Sequence, residues 1–534
     1  MVSTLQILIS LLAVIAAVGV ASKRSKVPAA ILLVVTGVVL ALIPGLPAIE
    51  LAPQLVLLLI LPPIIYMSAV AMSWREFRFN LRPIVLLAFG SVIFTTVAIA
   101  AAFHWLLGFP WAVGFVLGAI VSPPDAVAPL SIARRMQLPR RILVILEGEG
   151  LVNDATALIL YRFAIGVVSY GVFSFSQAAG LFGAIVVGEI LWGIGVGWMM
   201  LRLRHWVADP RIEIALSVLT PFLAYWPPEH LGGSGVLATV TTGLYVSWNG
   251  PRLISAATRL QGIFFWDFIL YLVEGLVFLI TGLQARTLVE RMGEYSIGEL
   301  TISAIIVTVV VIAARFIWVY PATYIPRWIS PGLRRRDPSP PWQWPFLLGF
   351  TGVRGIVSLA AALGIPFVTA TGQPFPGRDL ILFLTFLIIL VTLVGQGLML
   401  PAVIRRLGLA NAGRQERRAE RDEEQRARRE AIQAAIERLK QLESERHLPE
   451  EAVRPLRSRY RDRLEYIEQR GDGNAGHRKL TETEDEIEAL LIEAEREQIN
   501  ELLRLGKLTD ETRRKIEREL DLRVADLTNA RGEG

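Results

Sequence analysis

Apolar stretches of membrane-spanning length recur along the chain and constrain its fold more than any other feature. A helix needs about 20 consecutive apolar residues to cross the hydrocarbon core of a bilayer. Thirteen candidate spans cover residues 5–20, 27–43, 51–72, 83–107, 111–133, 142–169, 178–201, 212–226, 231–247, 264–283, 297–320, 345–368 and 380–400. Because 53% of the 534 residues are hydrophobic, more than a soluble core would bury, the sequence predicts an all-α polytopic membrane protein.

Basic residues gather in every second loop between these spans. Clear examples are residues 134–141 after the fifth span and residues 334–336 after the eleventh, whereas the loop before the eleventh span is acidic. Lys and Arg are enriched in cytoplasmic loops. We therefore predict a multi-pass protein of the plasma membrane with its N-terminus outside and its C-terminus in the cytoplasm. The first span has no charged region before it and no cleavage site after it, which predicts a retained helix.

The composition argues against several classes of function. The chain has no Cys, and none of its five His residues forms a pair with the spacing of metal ligands. The net charge of +6 is small for this length, which gives no support for nucleic-acid binding. The chain also lacks a glycine-rich phosphate-binding loop. We expect no resident metal, no cofactor, no nucleic-acid partner and no ATP-driven step.

The composition changes at residue 410, which divides the chain into a transmembrane domain, 1–409, and a charged cytosolic domain, 410–534. The second part is rich in Arg and Glu, with Leu and Ile at helical spacing, as in residues 431–440. This pattern predicts helical hairpins. We expect them to bind no ligand and to contribute to self-association.

The sixth span contains the run Glu147-Gly-Glu-Gly-Leu-Val-Asn-Asp154. Carboxylates are costly in hydrocarbon and are kept there mainly where an ion or proton pathway needs them. Helical spacing places Glu147, Gly150 and Asp154 on one stripe and Glu149 with Asn153 on the next. A carboxylate removed from water holds a proton more readily, so we predict that Asp154 exchanges a proton for a cation. Asn153 adds amide dipoles without a second titrating charge.

Helix breakers interrupt two other spans at corresponding positions. The fifth span contains Pro123 and Pro124, and the twelfth contains Gly352 and Gly355. If spans one to six and eight to thirteen are inverted six-helix repeats, both breaks lie in the fifth helix of a repeat, where transporters place their substrate site. The prolines would free carbonyl oxygens one turn earlier for a cation. A simple proline kink is the alternative, but Asp125 directly after the prolines favours a site.

Further charged residues lie inside predicted spans. Arg354 cannot lose its proton and needs a buried partner, and we predict a structural ion pair with Glu149. For Glu189 and Glu274 three roles remain open: snorkelling to the interface, pairing with an arginine, or supplying an additional acid to the ion path. Arginines also occur in spans six and eleven, at Arg162 and Arg315.

Four stretches resemble one known family. They are LPPII (61–65), SPPDAVA (122–128), EGEGLVNDATALILY (147–161) and GVRGIVS (352–358). Together they are similar to bacterial sodium/proton antiporters of the monovalent cation:proton antiporter family, which includes the animal sodium/proton exchangers. The resemblance implies a homodimer of thirteen-helix protomers in the lipid membrane. It also implies a core domain that moves like an elevator against a dimerisation domain, with electroneutral exchange of Na⁺, and possibly Li⁺, for H⁺.

The same resemblance implies roles for individual residues. Asp154 would bind the transported cation or proton, with Asn153 as its motif partner. Asp125 would be the second acid, at the crossing of the two broken helices, and would also contact the cation. Glu149 and Arg354 would form the buried pair.

Three positions depart from the family pattern and lack its oxygen-bearing side chains. They are Met67, Pro124 and Gly150. Fewer oxygen ligands would relax the selectivity among Na⁺, Li⁺ and K⁺, so a K⁺/H⁺ antiporter is the closest alternative. Ser68, next to Met67, would be a substitute ligand.

Two other classes of protein share some of these features. An intramembrane aspartyl protease also keeps two aspartates in membrane helices, but neither Asp125 nor Asp154 follows a Gly-x-Gly pattern. A channel or an ion-sensing scaffold would differ in that one ion moves without counter-movement of another.

Overall fold

A computed structural model describes most of the chain. The described residues are 2–44, 52–171, 175–207, 209–292, 296–446, 449–471, 487–488, 490–499, 501–502, 516 and 519–524. Within these ranges the secondary structure is helical, and the only β feature is an isolated bridge between Val368 and Pro374. The predicted all-α fold is confirmed.

The helices follow one another with short connections. The first ten are α1 Val2–Ser25, α2 Ala29–Ala41, α3 Pro53–Leu55, α4 Leu61–Ala71, α5 Trp74–Phe79, α6 Leu81–Val85, α7 Val92–Trp105, α8 Trp111–Val121, α9 Val127–Arg135 and α10 Arg140–Tyr170. The others are α11 Phe175–Val207, α12 Pro210–His230, α13 Val236–Leu253, α14 Ala256–Glu290, α15 Ile297–Ile329, α16 Pro331–Arg336, α17 Gln343–Phe350, α18 Ile356–Leu363, α19 Arg378–Leu390, α20 Gly397–Arg406, α21 Leu409–Arg446 and α22 Glu450–Gly471. Single π-helical stretches join α3 to α4, α6 to α7 and α19 to α20.

Each predicted span overlaps one of these helices or a pair of them. By length and composition alone, eight helices among the described residues are able to cross a membrane, and two shorter apolar helices, α2 and α8, accompany them. The chain is therefore a multi-pass membrane protein. The count of thirteen crossings and the inverted repeats stay predictions.

Helices of the membrane part pack in two groups. In the first group, α1, α2, α4 and α11 to α14 contact one another, and in the second, α7 to α10, α15 and α17 to α20 do so. Small residues bring the helices close together, as in membrane proteins generally. A Cβ on Gly37 of α2 would lie 2.3 Å from the Leu279 carbonyl oxygen of α14, and one on Gly118 of α8 would lie 2.5 Å from that of Thr96 of α7.

The chain divides into two compact units, Met1–Arg414 and Gln415–Gly534. The division lies a few residues after the composition change at residue 410. The second unit contains most of α21, all of α22 and a small apolar cluster formed by Ile492, Ile499 and Leu520.

Candidate functional site

A cavity of about 420 Å³ lies between the two groups of helices. The first group contributes residues of α4 and α14 to its wall, and the second contributes α10 and both helix breaks. Among the described residues, its polar lining consists of Ser68, Asp125, Ser131, Arg134, Glu147, Asp154, Asp267, Glu274 and Ser358. Five carboxylates of this lining therefore share the cavity with a single arginine.

Two interrupted helices meet beside this cavity, and their non-helical segments are called the first and the second break. The helix α8 ends at Val121 and α9 begins at Val127, whereas α17 ends at Phe350 and α18 begins at Ile356. The two breaks are joined because the Asp125 N–H donates a hydrogen bond of 2.7 Å to the Val353 carbonyl. Irregular backbone of this kind is tolerated at membrane depth where it lines a cavity or is buried in protein.

All four predicted breaker residues lie in these non-helical segments. Pro123 and Pro124 fall between α8 and α9, and Gly352 and Gly355 fall between α17 and α18. One of the carbonyls that the prolines leave without an N–H partner, that of Ala119, accepts a hydrogen bond of 3.3 Å from the Ser122 hydroxyl.

Asn153 and Asp154 are neighbours in sequence but have different surroundings. Asn153 is fully buried, and its Nδ2 donates a 2.7 Å hydrogen bond to the carbonyl of Pro124, which ties α10 to the first break. Asp154 lines the cavity and has neither a hydrogen bond nor an ion pair with any residue in the described ranges. An unpaired carboxylate at membrane depth requires water, a proton or a cation as its partner.

Asp125 is held at the start of α9. One carboxylate oxygen accepts a 3.1 Å hydrogen bond from the Val127 N–H, and the other is buried without a partner among the described residues. Space for this carboxylate depends on Gly355, because a Cβ there would lie 2.3 Å from Asp125 Oδ2. The second break thus needs glycine at the point where it crosses the first break.

The predicted ion pair between Glu149 and Arg354 is wrong in its partner. Glu149 instead binds Arg315 of α15 through two parallel contacts, Nη1 to Oε1 at 2.6 Å and Nη2 to Oε2 at 2.9 Å. Both side chains are about 1% exposed. This fork-to-fork geometry satisfies both charges within the protein.

Arg354 is satisfied by backbone carbonyls of the breaks. Its Nε donates to the Val121 carbonyl at 2.8 Å, its Nη1 donates to the Gly352 carbonyl, and its own N–H donates to the Thr392 hydroxyl at 3.0 Å. A cation at the end of a helix compensates carbonyls that the helix leaves unpaired. Arg354 therefore binds the carbonyl end of α8 and forms no ion pair with a carboxylate of the described residues.

Two of the other charged residues have structural partners. The carboxylate of Glu189 accepts backbone N–H groups at the start of α13, including that of Ser234 at 2.6 Å. Arg162 pairs with Glu229 and donates to the Gly233 carbonyl. Neither faces the cavity described above.

Sequence reasoning missed Asp267, which lines the cavity together with Glu274. The two acids are seven residues apart on α14 and so lie on one helical face. That spacing from Glu274, itself an acid inside a predicted span, is the sequence signal that could have found Asp267. Neither acid has a hydrogen bond or an ion pair within the part of the chain that the structure describes.

The positions that depart from the family pattern lie at or near the cavity. Met67 and Ser68 both line it, and the Ser68 hydroxyl donates to the Ile64 carbonyl at 2.8 Å. Gly150 allows α10 to approach the first break, since a Cβ there would lie 2.7 Å from Ala126 Cβ. The site is therefore built from carboxylates and backbone, with few hydroxyl groups.

Comparison with known proteins gives the family. The family model for the transmembrane sodium/hydrogen exchangers matches residues 8–406. The chain belongs to this family. An uncharacterized Na⁺/H⁺ exchanger of Mycobacterium tuberculosis is 34% identical over 530 residues, which are 98% of this chain and 96% of that protein. The sodium, potassium, lithium and rubidium/H⁺ antiporter of Bacillus subtilis is 30% identical over 501 residues, 91% of this chain and 72% of that protein.

A solved structure shows the same fold. The sodium proton antiporter MjNhaP1 of Methanocaldococcus jannaschii matches the exchanger with a TM-score of 0.59 and 19% identity, over 76% of this chain and 99% of that chain. The predicted family membership is confirmed. Members of the family are membrane transporters rather than enzymes, and their activity is the exchange of cations for protons. The hypothesis of an intramembrane protease has no support from these relatives.

Proposed function

We propose that this exchanger moves Na⁺ against H⁺, with Asp154 holding the cation and the proton in turn. One observation carries the proposal: Asp154 faces a cavity of about 420 Å³ and has no partner among the described residues. A carboxylate of this kind binds either ligand but not both together. Asp125, whose Oδ2 has no partner in the same ranges, would supply a second oxygen to the cation.

Electroneutral exchange follows from the residue beside Asp154. Asn153 carries no titrating group, and its amide is already bound to the Pro124 carbonyl. The Asn-Asp pair therefore releases one proton for each cation that it takes up, and in this proposal Asp125, Asp267 and Glu274 keep the same protonation state throughout. Glu147 does not add a free charge, because it pairs with Arg134.

Alternating access of the elevator type is supported by the position of the cavity. One wall belongs to α4 and α14 of the first group of helices, and the other belongs to α10 and the breaks of the second group. Sliding of the second group against the first would carry Asp154 across the membrane. In this proposal the first group is the dimerisation domain of a homodimer, and the basic loops with the charged C-terminal unit lie in the cytoplasm.

K⁺/H⁺ exchange is the second candidate, and the composition of the cavity favours broad selectivity. The wall contains Met67 and Gly150, and the described hydroxyl groups that α4 and α18 contribute to it are those of Ser68 and Ser358. A site with few fixed oxygen ligands discriminates weakly among cations. The Bacillus subtilis relative is named for sodium, potassium, lithium and rubidium, which is consistent with this alternative.

The test is transport by purified protein in liposomes that contain a pH-sensitive dye. Na⁺, K⁺ and Li⁺ are added in turn to the native chain, to Asp154→Asn and to Glu290→Gln as a matched control. Glu290 is an exposed acid at the end of α14, paired with Arg286. We expect cation-dependent dye recovery for the native chain and the control, and at least about a hundredfold slower recovery for Asp154→Asn.

The outcomes separate the candidates. Recovery by Asp154→Asn at the native rate would remove this residue from the mechanism. Equal recovery with Na⁺ and K⁺ would favour the broad exchanger. Cation flux that continues without proton counter-movement would indicate a channel instead.

A further inference from the structure

A second cavity, of about 400 Å³, lies inside the first group of helices. It is surrounded by α4, α11, α12, α13 and α14, and its walls are mostly apolar. Tyr66, Val246, Ile254, Ile263 and Trp266 contribute much of this surface. A cavity of this size and character is typical of sites for small amphipathic ligands.

One buried cation lines this apolar cavity. Arg204, in the last turn of α11, is only 6% exposed, and its Nε has no hydrogen-bond partner among the described residues. The side chain of Arg204 interacts with the hydroxyl group of Tyr66, which carries no charge. No carboxylate of the described residues comes within 4.0 Å of the guanidinium, including Glu213, which is also buried. A buried cation that makes no direct ion pair is unfavourable, and an anionic partner would stabilise it.

A second arginine stands at the opening of the cavity. Arg259 is exposed, and its Nη1 donates to the Ile254 carbonyl at 2.7 Å, which keeps its charge beside the rim. Asp267 is the one acid in the described lining, so this lining carries two positive charges and one negative charge. The net charge of the cavity thus favours an anion.

We propose that this cavity binds one anionic phospholipid, with the phosphate at Arg204 and Arg259 and part of an acyl chain against the apolar walls. Arg204 follows the seventh predicted span and Arg259 follows the ninth, where the alternation of basic residues predicts the cytoplasmic interface. Anionic head groups are concentrated at that interface. A free inorganic anion would leave the apolar surface in contact with water. A zwitterionic lipid would leave the positive charge uncompensated.

The site adjoins the cation cavity. Met67, Ala71 and Asp267 line both cavities. A lipid seated here would press on the wall that faces Asp154, so binding would also change the apparent cation affinity. The binding itself does not depend on the proposed transport mechanism, and it is tested without measuring transport.

The experiment measures thermal unfolding of the purified full chain in detergent. Phosphatidylglycerol, phosphatidylcholine, oleate and inorganic phosphate are added separately to the native chain, to Arg204→Gln and to Arg202→Gln. Arg202 is the matched control because it lies two residues earlier on α11 and is exposed. We expect phosphatidylglycerol to raise the unfolding temperature of the native chain and of Arg202→Gln. The same lipid should leave Arg204→Gln unchanged.

Without added lipid, Arg204→Gln should be at least as stable as the native chain, because the substitution removes a buried cation that makes no ion pair with the described residues. A second variant tests the acyl part of the site. A Cβ on Gly262 would meet only Ile214 Cγ1, at 3.9 Å, so we expect Gly262→Leu to fold and to occupy part of the cavity. It should also abolish the shift with phosphatidylglycerol.

Three results would overturn the proposal. The first is an equal shift with phosphatidylcholine, and the second is a full shift with inorganic phosphate or oleate alone. The third is a native response to phosphatidylglycerol in both Arg204→Gln and Gly262→Leu.

Discussion

Two carboxylates on the same helix have opposite surroundings. Glu149 and Asp154 are five residues apart on α10, inside the same apolar stretch. Glu149 is enclosed and bound through both oxygens by Arg315, whereas Asp154 faces a cavity and has no partner among the described residues. The comparison shows that a charge in a membrane helix serves the fold where its partner is part of the protein. In the proposed mechanism, a charge serves transport where its partner must come and go.

The largest effect should follow from breaking the Glu149 pair. Glu149→Gln leaves Arg315 buried without a counter-charge, which costs on the order of 3–5 kcal/mol. We expect a large fall in the thermal unfolding temperature, whereas Asp154→Asn should cause none. A double variant, Glu149→Gln with Arg315→Met, should recover at least half of the loss. If the single variant were as stable as the native chain, the structural role of Glu149 would be rejected.

A smaller effect should follow from crowding Asp125. In Gly355→Ala the new methyl group would displace the Asp125 carboxylate, since its separation of 2.3 Å from Oδ2 is far inside van der Waals distance. We expect the apparent cation affinity in liposomes to fall about tenfold, equivalent to about 1.4 kcal/mol. Gly166→Ala is the control, because a Cβ at this position of α10 meets no atom within 4 Å. Native affinity in Gly355→Ala would show that Asp125 does not contact the cation.

The smallest effect concerns a third carboxylate, outside the predicted spans. Asp337 lies in the loop after α16, and the guanidinium groups of Arg82, Arg141 and Arg327 lie 2.7–2.8 Å from its oxygens. Burial alone would raise the pKa of Asp337, but the three arginines outweigh it and hold that pKa below its usual value. The ion pairs therefore stabilise the fold above the unfolded pKa of about 3.9.

Their contribution is lost as the pH falls through the lowered pKa of the folded state. Asp337→Asn should lower the free energy of unfolding at pH 7 by about 1 kcal/mol. This loss is measured as a lower unfolding temperature. The difference from the native chain should shrink below about pH 4. Asp379→Asn, at a half-exposed acid that is held by one arginine, Arg378, instead of three, serves as the control. A difference that persisted unchanged into acid would separate Asp337 from this pH dependence.

Much of the fold could be predicted because it depends on local pattern. The run of apolar residues places each span, and the overlap between spans and helices is close at α10, predicted as 142–169 and observed as Arg140–Tyr170. The broken helices were predictable for the same reason, because Pro123 and Pro124 lack the N–H that a continuing helix needs. The Asn-Asp motif identified the family, since its residues lie next to one another in sequence.

Partner choice could not be predicted, because it depends on residues that are far apart in sequence. Glu149 and Arg315 are separated by 166 positions, and nothing local distinguishes Arg315 from Arg354 as a partner. Arg354 looked like the natural counter-charge, yet its guanidinium donates to the backbone carbonyls of Val121 and Gly352 instead. Arg204 has an Nε without a partner among the described residues, and nothing in the sequence indicated this beyond the basic residues that follow the seventh predicted span.

The sequence by itself determined that this chain crosses a membrane many times, where its helices break and which acid lies in the Asn-Asp motif. These properties follow from hydrophobicity, backbone chemistry and neighbouring residues. Only the tertiary structure decided which charges neutralise one another and which face open space. That decision depends on distances of a few ångströms between helices that the chain brings together, and electrostatic energy in a low-dielectric interior changes steeply over such distances.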